Sequence, residues 1–559
     1  MKNFILLICC WLIVSPTFAQ FQFSYGTPQS EVGWSLTDVN ENNARYVIAG
    51  YSNGIFTSSG IDAYLTKTTS VGNQIWSTTY FGQGTDYFTS VEETLTTGSE
   101  TSYVAAGYTN SFGDTAGDAW IIGARRDGSL AFSGIYGRAG FDIFHDVKNS
   151  KKFEFEEGYV ATGRTDSYTF FPDGNLYVVK TDLAGNLIRA TVIGGKGTQV
   201  GYWIEQTRDG GYIVTGSNVN DLCSPDPLMN GSTDIFVVKL KEDLTMEWNR
   251  IIGHPNEVGV ANAQNVGRCV KEDEKGNFII TGYTNTFGLD KTYDAFLLVL
   301  DPNGAFLRFK TYGTDCENEL ATSLVLGRAE DGSSAITVVG GNYSKTSGSY
   351  NALMFQTKTD LSLSWAREYG RAQNDFGLEL TSYKNELYAF TGYTFSLGTG
   401  GMNTYLVETT LSGKSNTSCE KELLLKEIFH EPCITESAQQ VFVDEYKLIQ
   451  PKHTRFEFKE DICTTAGTPF GKSEKASEGV LKMFPNPSEN FVIIEVPENY
   501  DPESVKIIDV QRSKQQSVNV NQVDAEHLEL ETSGLEKGIY LIEFTTKEGK
   551  VVSRRFIKE

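Results

Sequence analysis

The sequence predicts an all-β protein: a seven-bladed β-propeller closed by its own N-terminal strand, followed by a linker and a small immunoglobulin-like β-sandwich. Three observations carry this. The composition, 55 Gly, 34 Phe and 27 Tyr against 14 Pro in 559 residues, describes many aromatic strands joined by glycine turns. A strand pattern recurs seven times. The register of that recurrence places a spare strand at the start and a missing one at the end.

Residues 1–19 read as a secretory signal peptide. Lys2 gives a positive start, Phe4 to Val14 an apolar run too short to cross a bilayer, and Ala19 a small residue at the expected cut. No later stretch is long and apolar enough for a transmembrane helix, so the mature chain is expected to be exported without a transmembrane segment. Six cysteines follow, Cys223, Cys269, Cys316, Cys419, Cys433 and Cys463, bound for a compartment where disulfides persist. Their pairing stays open, a local Cys419–Cys433 loop being one option. The 48 basic and 71 acidic side chains, net −23, repel a polyphosphate backbone and no compact basic stripe offsets them. Nucleic acid is therefore not expected as a partner.

Residues 20–413 hold the repeat. A β-branched or aromatic run ending in glycine recurs at Gly50, Gly107, Gly163, Gly216, Gly282, Gly340 and Gly392, at intervals of 52 to 66 residues. An Asp or Asn then opens a second run, at Asp62, Asp118, Asn175, Asp234, Asp294, Asn351 and Asn403. A third run closes on an apolar residue and glycine, as in Tyr25-Gly26, Tyr136-Gly137 and Tyr369-Gly370. One more strand fits before the next glycine run, for example Val32 to Val39, and four strands per unit is the period of a propeller blade. The strand Phe21–Gly26 precedes the first full unit, whereas the seventh unit loses the pattern after Leu411. The N-terminal strand thus completes the last blade and removes an unpaired edge.

Glycine weakens a strand unless something must approach closely, so the seven repeat glycines are expected to sit under a neighbouring blade's aromatic side chain. The Asp and Asn positions are expected to fasten the third strand by accepting backbone N–H bonds. No cofactor is expected. Calcium is the one cation these positions would suit, and no D-x-[DN]-x-[DN]-G loop is present.

Residues 414–479 read as a linker carrying cysteines; Lys421 to Phe429 fits a short helix or a strand equally well, and Lys472 to Gly479 is an exposed spacer. Residues 480–559 return to a β pattern, with alternation at Phe491–Val496 and runs at Val505–Val510 and Gly538–Phe544. Phe484-Pro485-Asn486-Pro487, Leu535-x-x-Gly538-x-Tyr540 and the closing stretch from Gly549 through Arg554 and Arg555 to Lys558 resemble the type A C-terminal sorting domain of the Bacteroidetes type IX secretion system. The resemblance implies a route: across the inner membrane by the signal peptide, through the periplasm, recognition of the tail by the outer-membrane translocon, and its removal by a surface sortase. The body is then released or attached to lipopolysaccharide. Pro485, Asn486, Pro487, Gly538, Tyr540, Gly549, Arg554, Arg555 and Lys558 would form the sorting signal. The repeats in turn resemble secreted propellers found ahead of such tails, which implies a fold and no ligand.

Motifs for catalysis fall away. Gly50-Tyr51-Ser52-Asn53-Gly54 fits G-x-S-x-G, but Gly50 is the repeat glycine and no strand-to-helix turn follows. Gly467 to Ser473 is one residue short of a phosphate loop. His145, His254, His430, His453 and His527 lack H-E-x-x-H spacing. The loops between second and third strands share a face with the links between blades, and together they predict a binding rim of Asn110, Asp114, Asp226, Asn230, His254, Asn256, Asn285, Asp290 and Asp315. The function expected is binding or adhesion at the outer cell surface or in the medium, toward a glycan or another surface protein. The alternative is an extracellular carbohydrate-active or other hydrolytic enzyme that uses paired carboxylates in the propeller channel.

Overall fold

The computed structural model describes residues 20–462 apart from 40, 42, 54–59, 95–100, 153–154, 169–173, 196, 220–231, 255–262, 289–291, 399–400, 437, 444–446, 449–451 and 457–458. Beyond these it describes 483–484, 491–495, 505–509, 514–516, 520–522, 527–536, 538–545 and 551–558. The expected signal peptide lies outside the described residues. The chain divides into two compact units, Met1–Gly467 and Thr468–Glu559.

The first unit is a seven-bladed β-propeller. Its inner strands are Glu31–Asp38, Asp86–Glu93, Asp142–Lys152, Thr198–Gln206, Asn265–Glu272, Asn318–Arg328 and Asp375–Tyr383, one for each of blades 1 to 7. All strand pairings within blades are antiparallel, and the inner strand of blade 7 packs beside that of blade 1 to close the ring. Phe21–Gly26 pairs with Asn403–Thr410 in the register Phe23↔Leu406, so the N-terminal strand supplies the fourth strand of blade 7, as the repeat predicts.

Of the stretch expected to be a linker, the described residues up to Ile462 are part of the propeller. Seven short strands add a fifth strand to every blade. Glu420–Glu422, Lys426–Phe429, Cys433–Thr435, Gln439–Val443, Lys447–Leu448, Lys452–Phe456 and Lys459–Ile462 lie on blades 6, 5, 4, 3, 2, 1 and 7 in turn. The segment makes one complete backward circuit, with successive strands starting five to eight residues apart. Each strand hydrogen-bonds the outer edge of a blade, the position most exposed to unwanted pairing. Side chains fasten it: Lys310 pairs with Glu427 at 2.9 Å, Gln440 Nε2 donates to Thr191 Oγ1 at 2.9 Å, and Leu425 is buried in the core of blades 5 and 6. Cys433 on this belt is a free thiol, whereas Cys419 is disulfide-bonded. The local Cys419–Cys433 loop is therefore not formed.

Blades are tied to one another by tyrosines at the ends of the fourth strands. Tyr80 OH donates to Gly128 O at 2.7 Å, Tyr136 OH to Gly185 O at 2.6 Å and Tyr312 OH to Leu361 O at 2.7 Å. Tyr25 and Tyr369 make the same bond to Gly72 and Gly413. The acceptors sit in left-handed turns that follow the third strand of the next blade, at φ 84°, 79°, 79°, 70° and 74° for residues 72, 128, 185, 361 and 413. A left-handed turn points the carbonyl sideways, and glycine takes it without a Cβ clash. Blades 3 and 4 carry Ile193 and Ile252 where the others have tyrosine, and both isoleucines are buried.

The second unit contains two four-stranded antiparallel sheets. One holds Met483–Phe484, Phe491–Glu495, His527–Glu531 and Val520–Gln522; the other holds Lys514–Gln516, Lys506–Asp509, Gly538–Thr545 and Val551–Lys558.

Candidate functional site

Each inner strand carries a β-bulge at one register position. The pairing with the second strand skips a residue between Gly33 and Ser35, Phe88 and Ser90, Phe144 and Asp146, Gly201 and Trp203, Gly267 and Cys269, Ala321 and Ser323, and Gly377 and Glu379. The skipped residues are Trp34, Thr89, His145, Tyr202, Arg268, Thr322 and Leu378, and all seven line one cavity of about 340 Å³ at the ring centre. A bulge re-aims a side chain that regular alternation would send elsewhere.

The bulge also explains the repeat glycines. A Cβ on Gly50, Gly107, Gly163, Gly216, Gly282, Gly340 or Gly392 would overlap a carbonyl of the inner strand of its own blade: Val32, Tyr87, Ile143, Val200, Val266, Leu320 or Phe376 respectively. The expected neighbour was an aromatic ring of another blade. What approaches is the backbone displaced by the bulge, which is why no side chain of any size is accommodated.

The residue after the bulge joins adjacent inner strands. Val91 N donates to Ser35 Oγ at 3.0 Å, Val147 N to Ser90 Oγ at 3.2 Å, Ile204 N to Asp146 Oδ2 at 2.9 Å and Leu380 N to Ser323 Oγ at 3.3 Å. Two bulge residues help: Thr89 Oγ1 donates to Phe144 O at 2.9 Å and Thr322 Oγ1 to Gly377 O at 3.0 Å. Beneath the cavity lies a ring of alternating charge. Lys148 contacts Glu92 at 2.9 Å and Asp146 at 3.0 Å, and Lys271 contacts Glu205 at 2.6 Å. Both ammonium groups also face the ring of Trp203, at 4.4 and 5.0 Å. Burial pushes the Glu379 carboxyl up to about 8 despite the Lys148 charge, so it holds its proton at neutral pH.

Aromatic side chains form the upper wall. Tyr51, Tyr87, Trp34 and Tyr202 line the cavity; Tyr51 and Tyr87 meet edge-on with centroids 6.4 Å apart, and His145 lies 5.0 Å from Tyr202. Burial, then the nearby Arg268 charge, pushes His145 down to about 3 and keeps it neutral. Tyr51 precedes the second-to-third-strand loop of blade 1, while Tyr87 and Ile143 follow links between blades. The cavity therefore opens on the face that carries the expected rim.

The described rim residues do not line this cavity. Asn110 bonds the backbone of Thr85. Asp114 Oδ1 accepts from Ala116 N at 3.0 Å, and Asp118 Oδ2 in turn accepts from Asp114 N at 2.8 Å. Asn285 is buried and its Oδ1 accepts from Gln264 N at 2.7 Å. His254 packs against Phe287 with centroids 4.8 Å apart. Asp315 holds Lys426 of the belt. Asp226, Asn230, Asn256 and Asp290 lie outside the described residues.

Ser52 of the G-x-S-x-G match is buried and donates to Glu31 Oε1 at 2.8 Å. Its equivalents do the same in other blades: Thr284 donates to Asn265 at 2.6 Å, and Thr109 and Thr394 donate to Asp86 and Asp375. The acids and amides that open the inner strands also accept backbone N–H groups from the preceding link, such as Thr27 N to Glu31 at 2.9 Å and Arg371 N to Asp375 at 2.9 Å. This hydroxyl position is a blade clasp.

In the second unit Tyr540 is buried and its hydroxyl donates to Glu536 O at 2.9 Å. Gly538, Tyr540, Arg554, Arg555 and Lys558 share the last two strands, in the register Gly538↔Lys558, Tyr540↔Phe556 and Ile542↔Arg554. Pro485, Asn486, Pro487 and Gly549 lie outside the described residues.

Fold and tail together define a class: a seven-bladed β-propeller exported to the cell surface or the extracellular space. The tail carries the more specific assignment. Residues 482–559 match the family described as the secretion system C-terminal sorting domain, which implies handling by the type IX secretion system. A comparison with curated proteins finds no match. No helix among the described residues is long and apolar enough to cross a membrane.

Proposed function

We propose that this protein is a binding or adhesion protein of the outer cell surface or medium, and that its central cavity receives part of an extracellular glycan. The observation that carries this reading is the convergence of seven bulge side chains on an aromatic-walled cup above a floor of ion pairs. Tyrosine and tryptophan faces offer the apolar, flat surfaces that sugar rings stack on. The residues expected at the rim from the sequence would extend contact to a longer chain or to a protein that displays it.

Hydrolysis is less well supported by the same geometry. The two carboxylates of the cavity are engaged: Asp146 accepts from Ser90, Ile204 N and Lys148, and Glu379 faces Lys148 at 4.0 Å. A glycan array on the secreted protein, run beside a reducing-sugar release assay, separates the readings. Binding abolished by Tyr51→Ala with Tyr87→Ala, and no sugar release, is the expected result. Release that disappears in Glu379→Gln would establish the enzyme instead. For the sorting tail, deletion of Leu481 to Glu559 is expected to trap the body in the periplasm; undiminished surface display of the truncated chain would refute that role.

A further inference from the structure

Among the charged side chains that line the cavity, Arg268 stands apart. Asp146 is matched by Lys148, Glu379 keeps its proton, and His145 is neutral. The Arg268 guanidinium meets no carboxylate among the described residues; it lies over the face of Tyr202 at 4.4 Å, and its Nε–H is shielded from solvent without a hydrogen-bond acceptor. This is unusual in a chain of net charge −23, where an acidic partner would be easy to supply.

Blade 1 presents a second group in the same condition. The Trp34 indole Nε1–H is buried and unbonded, and Trp34 lines the same cavity from the opposite side of the ring. Indole and guanidinium nitrogens are donors only. Buried donors without acceptors are costly; these two belong to residues that line one cavity, where a small side-chain rotation would bring either N–H to an acceptor that enters it. The guanidinium adds a positive charge and a planar fork suited to a carboxylate. Between the two donors stand the rings of Tyr51, Tyr87 and Tyr202.

We infer that the cavity selects an acidic sugar, a saccharide unit bearing a carboxylate, with the carboxylate on Arg268, the indole N–H of Trp34 on a ring or hydroxyl oxygen, and the sugar face against the tyrosines. This rests on the reading of the cavity as a glycan site. It adds the charge and the two residues that read it.

The test is titration calorimetry on the secreted full chain with two matched probes, an oligosaccharide ending in glucuronic acid and its neutral counterpart ending in glucose. The acidic probe is expected to bind more tightly. Arg268→Gln is expected to weaken it about ten- to a hundredfold, the range for losing a hydrogen bond to a charged group, with little change for the neutral probe. Trp34→Phe, which keeps the ring and removes the N–H, is expected to weaken both. Melting temperatures of the variants verify that each is folded. Equal binding of both probes, unaffected by Arg268→Gln, overturns the acidic preference and leaves the glycan site standing. Binding of neither probe overturns both. Inorganic phosphate or sulfate that competes as well as free glucuronate would show a general anion site and overturn the sugar assignment.

Discussion

The phenol of Tyr80 in blade 1 donates a 2.7 Å hydrogen bond to the carbonyl of Gly128 in blade 2. Both partners belong to a repeated arrangement in which a fourth-strand tyrosine reaches the left-handed turn of the next blade. Tyr80→Phe keeps the ring and strands the carbonyl. Its expected cost is about 1 kcal/mol, read as a lower denaturation midpoint with unchanged denaturant slope. Tyr136→Phe should behave alike, and a midpoint equal to wild type in both would show that these bonds do not hold the blades.

Gly282 faces the Val266 carbonyl at the bulge of blade 5. Gly282→Ala therefore forces backbone apart and is expected to destabilise by about 1–3 kcal/mol. Because the same bulge sets the position of Arg268, ligand affinity should fall in step. Normal stability of the alanine variant in chemical denaturation would contradict the backbone-clash account.

Three buried carboxyls give the propeller a pH dependence. Burial raises Asp142 to about 7 and Glu319 and Glu379 to about 8, above ordinary values of 3.8 and 4.5. The folded state thus binds protons that the unfolded chain releases. Their contribution is full below about pH 4 and is lost as pH rises through 7 to 8. Thermal melting is expected to occur at progressively lower temperature from pH 5 to pH 8.5, and Asp142→Asn with Glu319→Gln should flatten the slope. A melting temperature that climbs over this range would exclude the effect.

The belt shields the outer edges of all seven blades. A chain ending at Gly413 would expose them, and is expected to form higher oligomers in size-exclusion chromatography and to melt earlier than the full chain. A monodisperse, equally stable truncation would show that the belt is dispensable.

The belt was not legible in the sequence for a physical reason. Strands of two to five residues carry no periodicity of their own, and their spacing acquires meaning only as the pitch of a ring already formed. The cavity was not legible either: Trp34, Thr89, His145, Tyr202, Arg268, Thr322 and Leu378 precede their repeat glycines by 14 to 18 residues, because the hairpins between first and second strands differ in length, and only the bulge brings them to one register. Loop Asn and Asp serve turns and clasps as readily as ligands, as Asn285 and Asp114 of the expected rim show, so residue type alone does not separate the two roles.

The sequence by itself determined the blade number, the four repeated strands of each blade, the closure by Phe21–Gly26 and the export tail, since each is written in local, repeated or terminal patterns that short-range sterics and hydrophobicity enforce. Tertiary structure alone decided the encircling belt, the bulges and the choice of side chains that meet at the axis. Those depend on seven strands far apart in the chain being brought side by side, and no local preference encodes that meeting.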